Sequence, residues 1–319
     1  MPSVRAPQLI ALVVGAAMGL AACGGEDAPA TTTAATRTNT TTKRAVSAAP
    51  AICGPLRIRT TGHVAAPEAT ELSGLARSIT QPGVLWTHND SGDRPRVFAL
   101  RSDGSLIASL DVPGAQAIDW EDIAVGPGGD LLIGDIGDNR AQRDSIDVYR
   151  VAEPRLADGP AATAPATRLT LTYPDGPHDA ETLLADRRTG ELVIVTKDLS
   201  GRSGVYTAKA PARGAAGSAT LRRAGILELG IGGLATAGDV SADGRTIAIR
   251  TYTTLHAWSR RPGATIAGTL TAKRPCTGKA QLGREGQGEA LALARDGRSF
   301  FTVPEGAAAA LRRYSARNP

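Results

Sequence analysis

Aromatic residues make up only 3% of this 319-residue chain, with three Trp, five Tyr and three Phe. A core so poor in rings has to be built from many small aliphatic contacts, and apolar residues still reach 42%. Lysine is nearly missing, with 5 Lys against 31 Arg among the 36 basic residues. The net charge of +5 is therefore read as a bias toward arginine, and no nucleic-acid partner is expected. Three cysteines, at 23, 53 and 276, leave no Cys-x-x-Cys or Cys/His spacing, which excludes the common zinc modules. No Gly-x-Ser-x-Gly elbow and no P-loop is found. Gly230-Ile-Gly-Gly-Leu-Ala235 imitates a dinucleotide loop, but no strand-helix-strand unit surrounds it. Coiled-coil heptads, a collagen period and a second long apolar run are also missing.

Turn formers are abundant: 37 Gly and 20 Pro, about 18% of the chain against a usual ~12%. Many short elements joined by tight turns are expected, not a helical bundle. The first residues read as an address. Arg5 precedes an apolar stretch, Leu9 to Leu20, that is too short to span a bilayer. It ends in Leu20-Ala21-Ala22-Cys23-Gly24, which resembles a bacterial lipobox. By that resemblance residues 1–22 are a signal peptide, and Cys23 carries a lipid that anchors the exported protein to the outer face of the membrane. Residues 23–50, rich in Thr and Ala, read as a flexible tether. The two remaining cysteines, Cys53 and Cys276, then form an even pair in an oxidising compartment and are expected to be bonded.

Residues 51–319 repeat themselves. A carboxylate and a short apolar strand lead to a Gly turn; a strongly apolar strand follows, and then a third strand. The turn glycines are Gly83, Gly129, Gly190, Gly244 and Gly297. A period near 50 with about four short strands per unit is the signature of a β-propeller. Five four-stranded blades are expected, with six left open. The fourth strands are fainter, at 105–112, 168–172, 220–229 and 264–271. The last unit runs out of chain, so the segment from Leu56 to Val64 is expected to supply its fourth strand and close the ring. Cys53 and Cys276 would then meet beside that blade. Trp86, Trp120 and Trp258 are assigned to packing between blades. A single monomeric ring accounts for the whole folded part.

Each innermost strand begins at or near an acid: Glu71, Glu121, Glu181, Asp239 and Glu289. Acids converging on one axis repel unless a cation sits among them, and a hard, oxygen-rich site suits Ca²⁺. Bonding to neighbouring backbone amides is the competing role. A second ring follows from the ends of the second strands: Asp90, Asp135, Lys197, Arg250 and Glu305. Asn89-Asp90-Ser-Gly-Asp93 and Asp135-Ile-Gly-Asp138 are acidic Gly loops that serve equally as ligand sites or as capping turns. Lys197 and Arg250 among carboxylates make a mouth of mixed charge, suited to an anionic ligand or to plain salt bridges. Charge is unevenly spread: 202–319 carries 18 basic residues against 7 acids, and 119–153 carries 9 acids against 3 Arg.

Thr87-His-Asn-Asp-Ser-Gly-Asp93, Asp119-Trp-Glu-Asp-Ile-Ala124, Gly134-Asp-Ile-Gly-Asp-Asn139, Tyr173-Pro-Asp-Gly-Pro-His-Asp-Ala-Glu181 and Arg250-Thr-Tyr252 together resemble a family of exported bacterial β-propellers without an assigned activity. More distantly, the inner acids at Glu71, Glu121, Glu181 and Glu289 resemble those of calcium-dependent apyrases and phytase-like propellers. That resemblance implies Ca²⁺ in the channel and a phosphorylated ligand at the top face. Two functions are expected from different classes. One is a lipid-anchored binding or scaffold protein whose top face takes a protein or a small anion. The other is a Ca²⁺-dependent phosphoester hydrolase, with Asp90, Asp135 and Glu305 on metal or water and Lys197 with Arg250 clamping phosphate.

Overall fold

The computed structural model describes residues 49–159, 162–210, 214–272, 275–278 and 282–317. The signal segment, Cys23 and nearly all of the tether lie outside the described residues. The rest is a five-bladed β-propeller of antiparallel blades. From the channel outward, blade 1 is Leu72–Arg77, Val84–Asn89, Arg96–Arg101 and Leu106–Asp111. Blade 2 is Trp120–Val125, Leu131–Asp135, Ile146–Val151 and Thr167–Thr172. Blade 3 is Ala180–Ala185, Glu191–Thr196, Arg202–Lys209 and Arg222–Glu228. Blade 4 is Ala237–Val240, Thr246–Arg250, Leu255–Ser259 and Cys276–Gly278. Blade 5 is Gly288–Leu293, Ser299–Pro304 and Ala310–Ala316, completed by the N-terminal strand Leu56–His63.

The ring thus closes as expected, with Leu56 opposite Ala316 and His63 opposite Ala310. Cys53 and Cys276 are disulfide-bonded, with Cα atoms 5.9 Å apart. The five repeat glycines all adopt positive φ, from 62° to 86°, in the turn between first and second strands. A side chain would strain that turn, which is why the glycine recurs. Blade 2 gains a fifth strand, Gly217–Thr220, that runs parallel to Thr167–Thr172 and comes from the chain of blade 3.

Blade 4 corrects one expectation. The segment read as its fourth strand holds a helix, Ile266–Ala272, and the outer strand is Cys276–Gly278. Ile266, Ala267 and Leu270 share one helical face and are buried. The hydroxyl of Thr265 accepts the amide of Gly268 at 2.9 Å, and the Glu191 carboxylate accepts that of Ile266 at 2.9 Å. Both are helix-start bonds that a strand would leave unused.

The core lies between blades. Trp86 of blade 1 packs with Trp120 and Tyr149 of blade 2; Trp258 of blade 4 packs with Leu184 and Val193 of blade 3. Tyr206 joins blades 2 and 3, Phe300 and Tyr314 join blades 4 and 5, and Phe98 joins blades 5 and 1. The three tryptophans therefore do what the sequence suggests. Second strands are buried on both faces, which explains their unbroken apolar runs. Each ring so buried stabilises the seam by roughly 1.5–3 kcal/mol.

Candidate functional site

A register irregularity sets up the channel mouth. In four blades the first hairpin skips one residue of the innermost strand: Gly74, Glu121, Glu181 and Glu289. A β-bulge turns the extra side chain out of the sheet, often next to a site. Three blades place a Glu there, and Glu121, Glu181 and Glu289 are 2%, 3% and 4% exposed. Blade 1 has Gly74 at the bulge, and a Cβ there would press on the backbone of Asp122 and Ile123 in the next blade. Glu71 lies three residues earlier and is exposed, so it stands outside the buried group.

Asp90 takes the place that Glu71 was expected to fill. Ligand atoms of Asp90, Asp119 and Glu121 lie within 4.8 Å of one another, and so do those of Asp90, Glu289 and Glu305. Asp90 belongs to both groups and so links two neighbouring carboxylate triads drawn from blades 1, 2 and 5. Its buried Oδ1 has no hydrogen-bond donor, nor has Oε2 of Glu181 nearby. Burial, then the charges of Asp119 and Glu289, push Asp90 up to about 7. Burial, then the hydrogen bond and charge of Glu289, push Glu305 up to about 8. Glu121 is held well above the carboxylate range by burial and then by the charge of Glu181.

The wall of the group is tight. Gly137 lies against it, and a Cβ at that position would overlap Glu121 Oε1 and Asp119 Oδ2. Blade 3 adds Glu181, which accepts from Lys197 Nζ. Burial outweighs that cation and holds Glu181 up at about 9. Blade 4 adds Tyr252, whose hydroxyl donates to Glu289 Oε1 at 2.9 Å while its ring lies 5.6 Å below Lys197 Nζ.

Other expected residues support this mouth from outside it. Asp135 is buried; it pairs with Arg143 at 2.9 Å and accepts the amides of Ile118 and Asp119, fixing the backbone that carries Asp119. Asp138 caps its own turn through the amides of Gln142 and Arg143. Asn89 donates to Asp93 at 2.7 Å, and Asp93 accepts from Arg96. These are turn and strand-end roles. Arg250 is fully buried and donates to Glu285 and to the carbonyl of Ala290, both at 3.1 Å. Asp239 accepts its own neighbour's amide at Val240 and the amide of Leu293 in blade 5, both at 2.7 Å, so it sits apart from the carboxylate group. His88 is fully buried, edge-on to Trp120 at 5.4 Å, and burial lowers it to about 4. It is a packed residue.

Three participants were not picked out from the sequence. Asp119 precedes the bulged Glu121 by two residues, so its signal was the acidic run 119–122 itself. Tyr252 occupies the loop after Arg250 and had only its place in a quoted motif. Asp122 is fully buried and accepts amides from Ile123, Leu183 and Gly238, tying blades 2, 3 and 4 together.

Fold and site together define a five-bladed propeller with a buried acidic mouth. No family model and no curated protein matches the sequence. One solved structure that is similar is an X-ray structure provisionally described as a gluconolactonase. It aligns with a TM-score of 0.44 at 13% identity, covering 83% of this chain and 94% of that one. A likeness at that level carries no functional argument.

Proposed function

We propose that the protein is an exported, lipid-anchored binding propeller that holds a hard divalent cation, Ca²⁺, at its channel mouth. The carrying observation is that Asp90 is shared by two groups of three convergent carboxylates. Oxygen-only donors at this spacing suit Ca²⁺, which tolerates irregular geometry. The residues that would hold it are Asp90, Asp119, Glu121, Glu289 and Glu305, and Gly137 leaves the room. The ion would convert a repulsive acidic pocket into a centre that attracts an anionic group of a small molecule or a protein. Leu199 and Ile231, 80% and 99% exposed, offer apolar contact on loops beyond Lys197 and before blade 4.

The binding reading is favoured over phosphoester hydrolysis by the state of the cations. Lys197, Arg143 and Arg250 are each held by a carboxylate, so among the described residues these three cations form no free clamp for a phosphate. Calorimetric titration of Ca²⁺ tests the proposal, with Mg²⁺ and Mn²⁺ alongside. Wild type should bind Ca²⁺ and melt higher, and Asp90→Asn should weaken binding by at least tenfold. Absence of both heat and melting shift with all three ions would exclude the cation site. Ca²⁺-dependent turnover of an aryl phosphate would instead favour the hydrolase.

A further inference from the structure

The outermost strand of blade 5, Leu56–His63, carries an uncompensated positive face. Arg57, Arg59 and Thr61 alternate along it and therefore share one side. On the neighbouring strand Arg313 stands opposite Arg59, and Ser315 opposite Arg57. With Arg317 they line an open cleft of about 800 Å³. Among the described residues, none of these four arginines is paired with a carboxylate; the adjacent Arg312 turns the other way, toward Glu285 at 3.7 Å. Arg313 is propped by the Phe301 ring at 5.7 Å and by the hydroxyl of Ser299 at 3.2 Å. Like charges facing each other across strands destabilise a sheet. Among the described residues no carboxylate offsets this charge, which leaves the face open to an anionic partner.

We propose that this cleft docks on the phosphodiesters of anionic membrane lipids. The guanidinium fork matches phosphate oxygens, and several arginines on one open face suit an array of headgroups better than one enclosed ion. The choice of a lipid source rests on the reading of Cys23 as the anchor. Leu56 lies six residues after the segment 23–50, and a coil of about 27 residues would span roughly 30 Å. The arginine strand is therefore the part of the ring held nearest the surface along the chain. The cation site is on the channel and plays no part.

All five blades, the seams between them and the disulfide lie within 51–317, so the chain from Val46 to Pro319 carries the whole ring. This form removes the lipid and can be sedimented, in chelator, with phosphatidylcholine vesicles containing or lacking about a quarter phosphatidylglycerol. Partition should favour the anionic vesicles and fall with added salt. Each arginine near such a surface is worth roughly fivefold, so the Arg57→Gln, Arg59→Gln, Arg313→Gln triple variant should lose on the order of a hundredfold. Arg57→Gln alone should lose roughly fivefold, which covers the case of a triple variant that does not fold. A control triple at exposed Arg155, Arg188 and Arg245 should lose much less. Equal binding to both vesicles, or equal losses in the two triples, would overturn the proposal. Displacement from the vesicles by millimolar inorganic phosphate would also overturn it, assigning the cleft to a free anion.

Discussion

At the scale of single residues, the absence of a side chain at Gly137 matters as much as the acids around it. Its φ is not in the left-handed region, so alanine fits the backbone; what it lacks is space beside Asp119 and Glu121. Gly137→Ala must push the Asp119 and Glu121 carboxylates aside, so it should lower metal-free melting modestly while weakening Ca²⁺ binding by at least tenfold in a calorimetric titration. Equal affinity would mean that the cation, if bound, sits away from Asp119 and Glu121. Gly74 shows the reverse case. It occupies the same bulge as the three glutamates, but the neighbouring blade approaches too closely for any side chain. Blade 1 therefore supplies its acid from the end of its second strand, at Asp90.

At the scale of the element, the innermost strands are tied to one another by side chains that reach across blades. Ser73 donates to the Glu121 carbonyl at 2.5 Å, Thr236 to the Gly288 carbonyl at 3.0 Å, and Asp239 accepts from Leu293. Asp122 is the strongest tie, accepting three amides at 2.9–3.1 Å. Asp122→Ala leaves those buried donors unsatisfied and should cost about 3 kcal/mol or more, lowering the melting temperature by about 10 °C. Asp122→Asn keeps a carbonyl acceptor and should cost clearly less; equal losses would deny the amide-accepting role. These ties explain what the sequence hid. Recurrent Glu at strand starts was legible because three bulges repeat it. Asp239 looked like a member of that set because it also precedes a turn glycine. Blade 4 has no bulge, and its acid spends both oxygens on amides. The helix Ile266–Ala272 was misread because seven residues are too few for periodicity to separate helix from strand.

At the scale of the molecule, the ring was legible because its period, its closing strand and its even cysteine pair are independent signals of one topology. The Cys53–Cys276 bond, 223 residues apart in sequence, contributes on the order of 5 kcal/mol by chain-entropy reasoning. The protonation behaviour of the mouth was not legible, because it depends on which acids share a buried point. That behaviour gives the molecule a defined pH response. Asp90 and Glu305 titrate near 7 and 8 in the folded ring, well above their ordinary values of 3.8 and 4.5. Between those limits the folded state binds more protons than the unfolded chain. Their contribution to stability is complete below about pH 4 and is lost as pH rises through 7 to 8. His256, lowered by burial to about 4, acts oppositely, but only between about 4 and 6.5. In chelator the melting temperature should therefore be higher at about pH 6.5 than at about pH 8.5. Ca²⁺ must displace those protons, so its stabilising shift should grow over the same interval. Melting curves with and without Ca²⁺ at the two pH values check both signs. A metal-free ring that gains stability with rising pH, or a Ca²⁺ shift that shrinks, would mean the carboxylates are already ionised and do not share one buried centre.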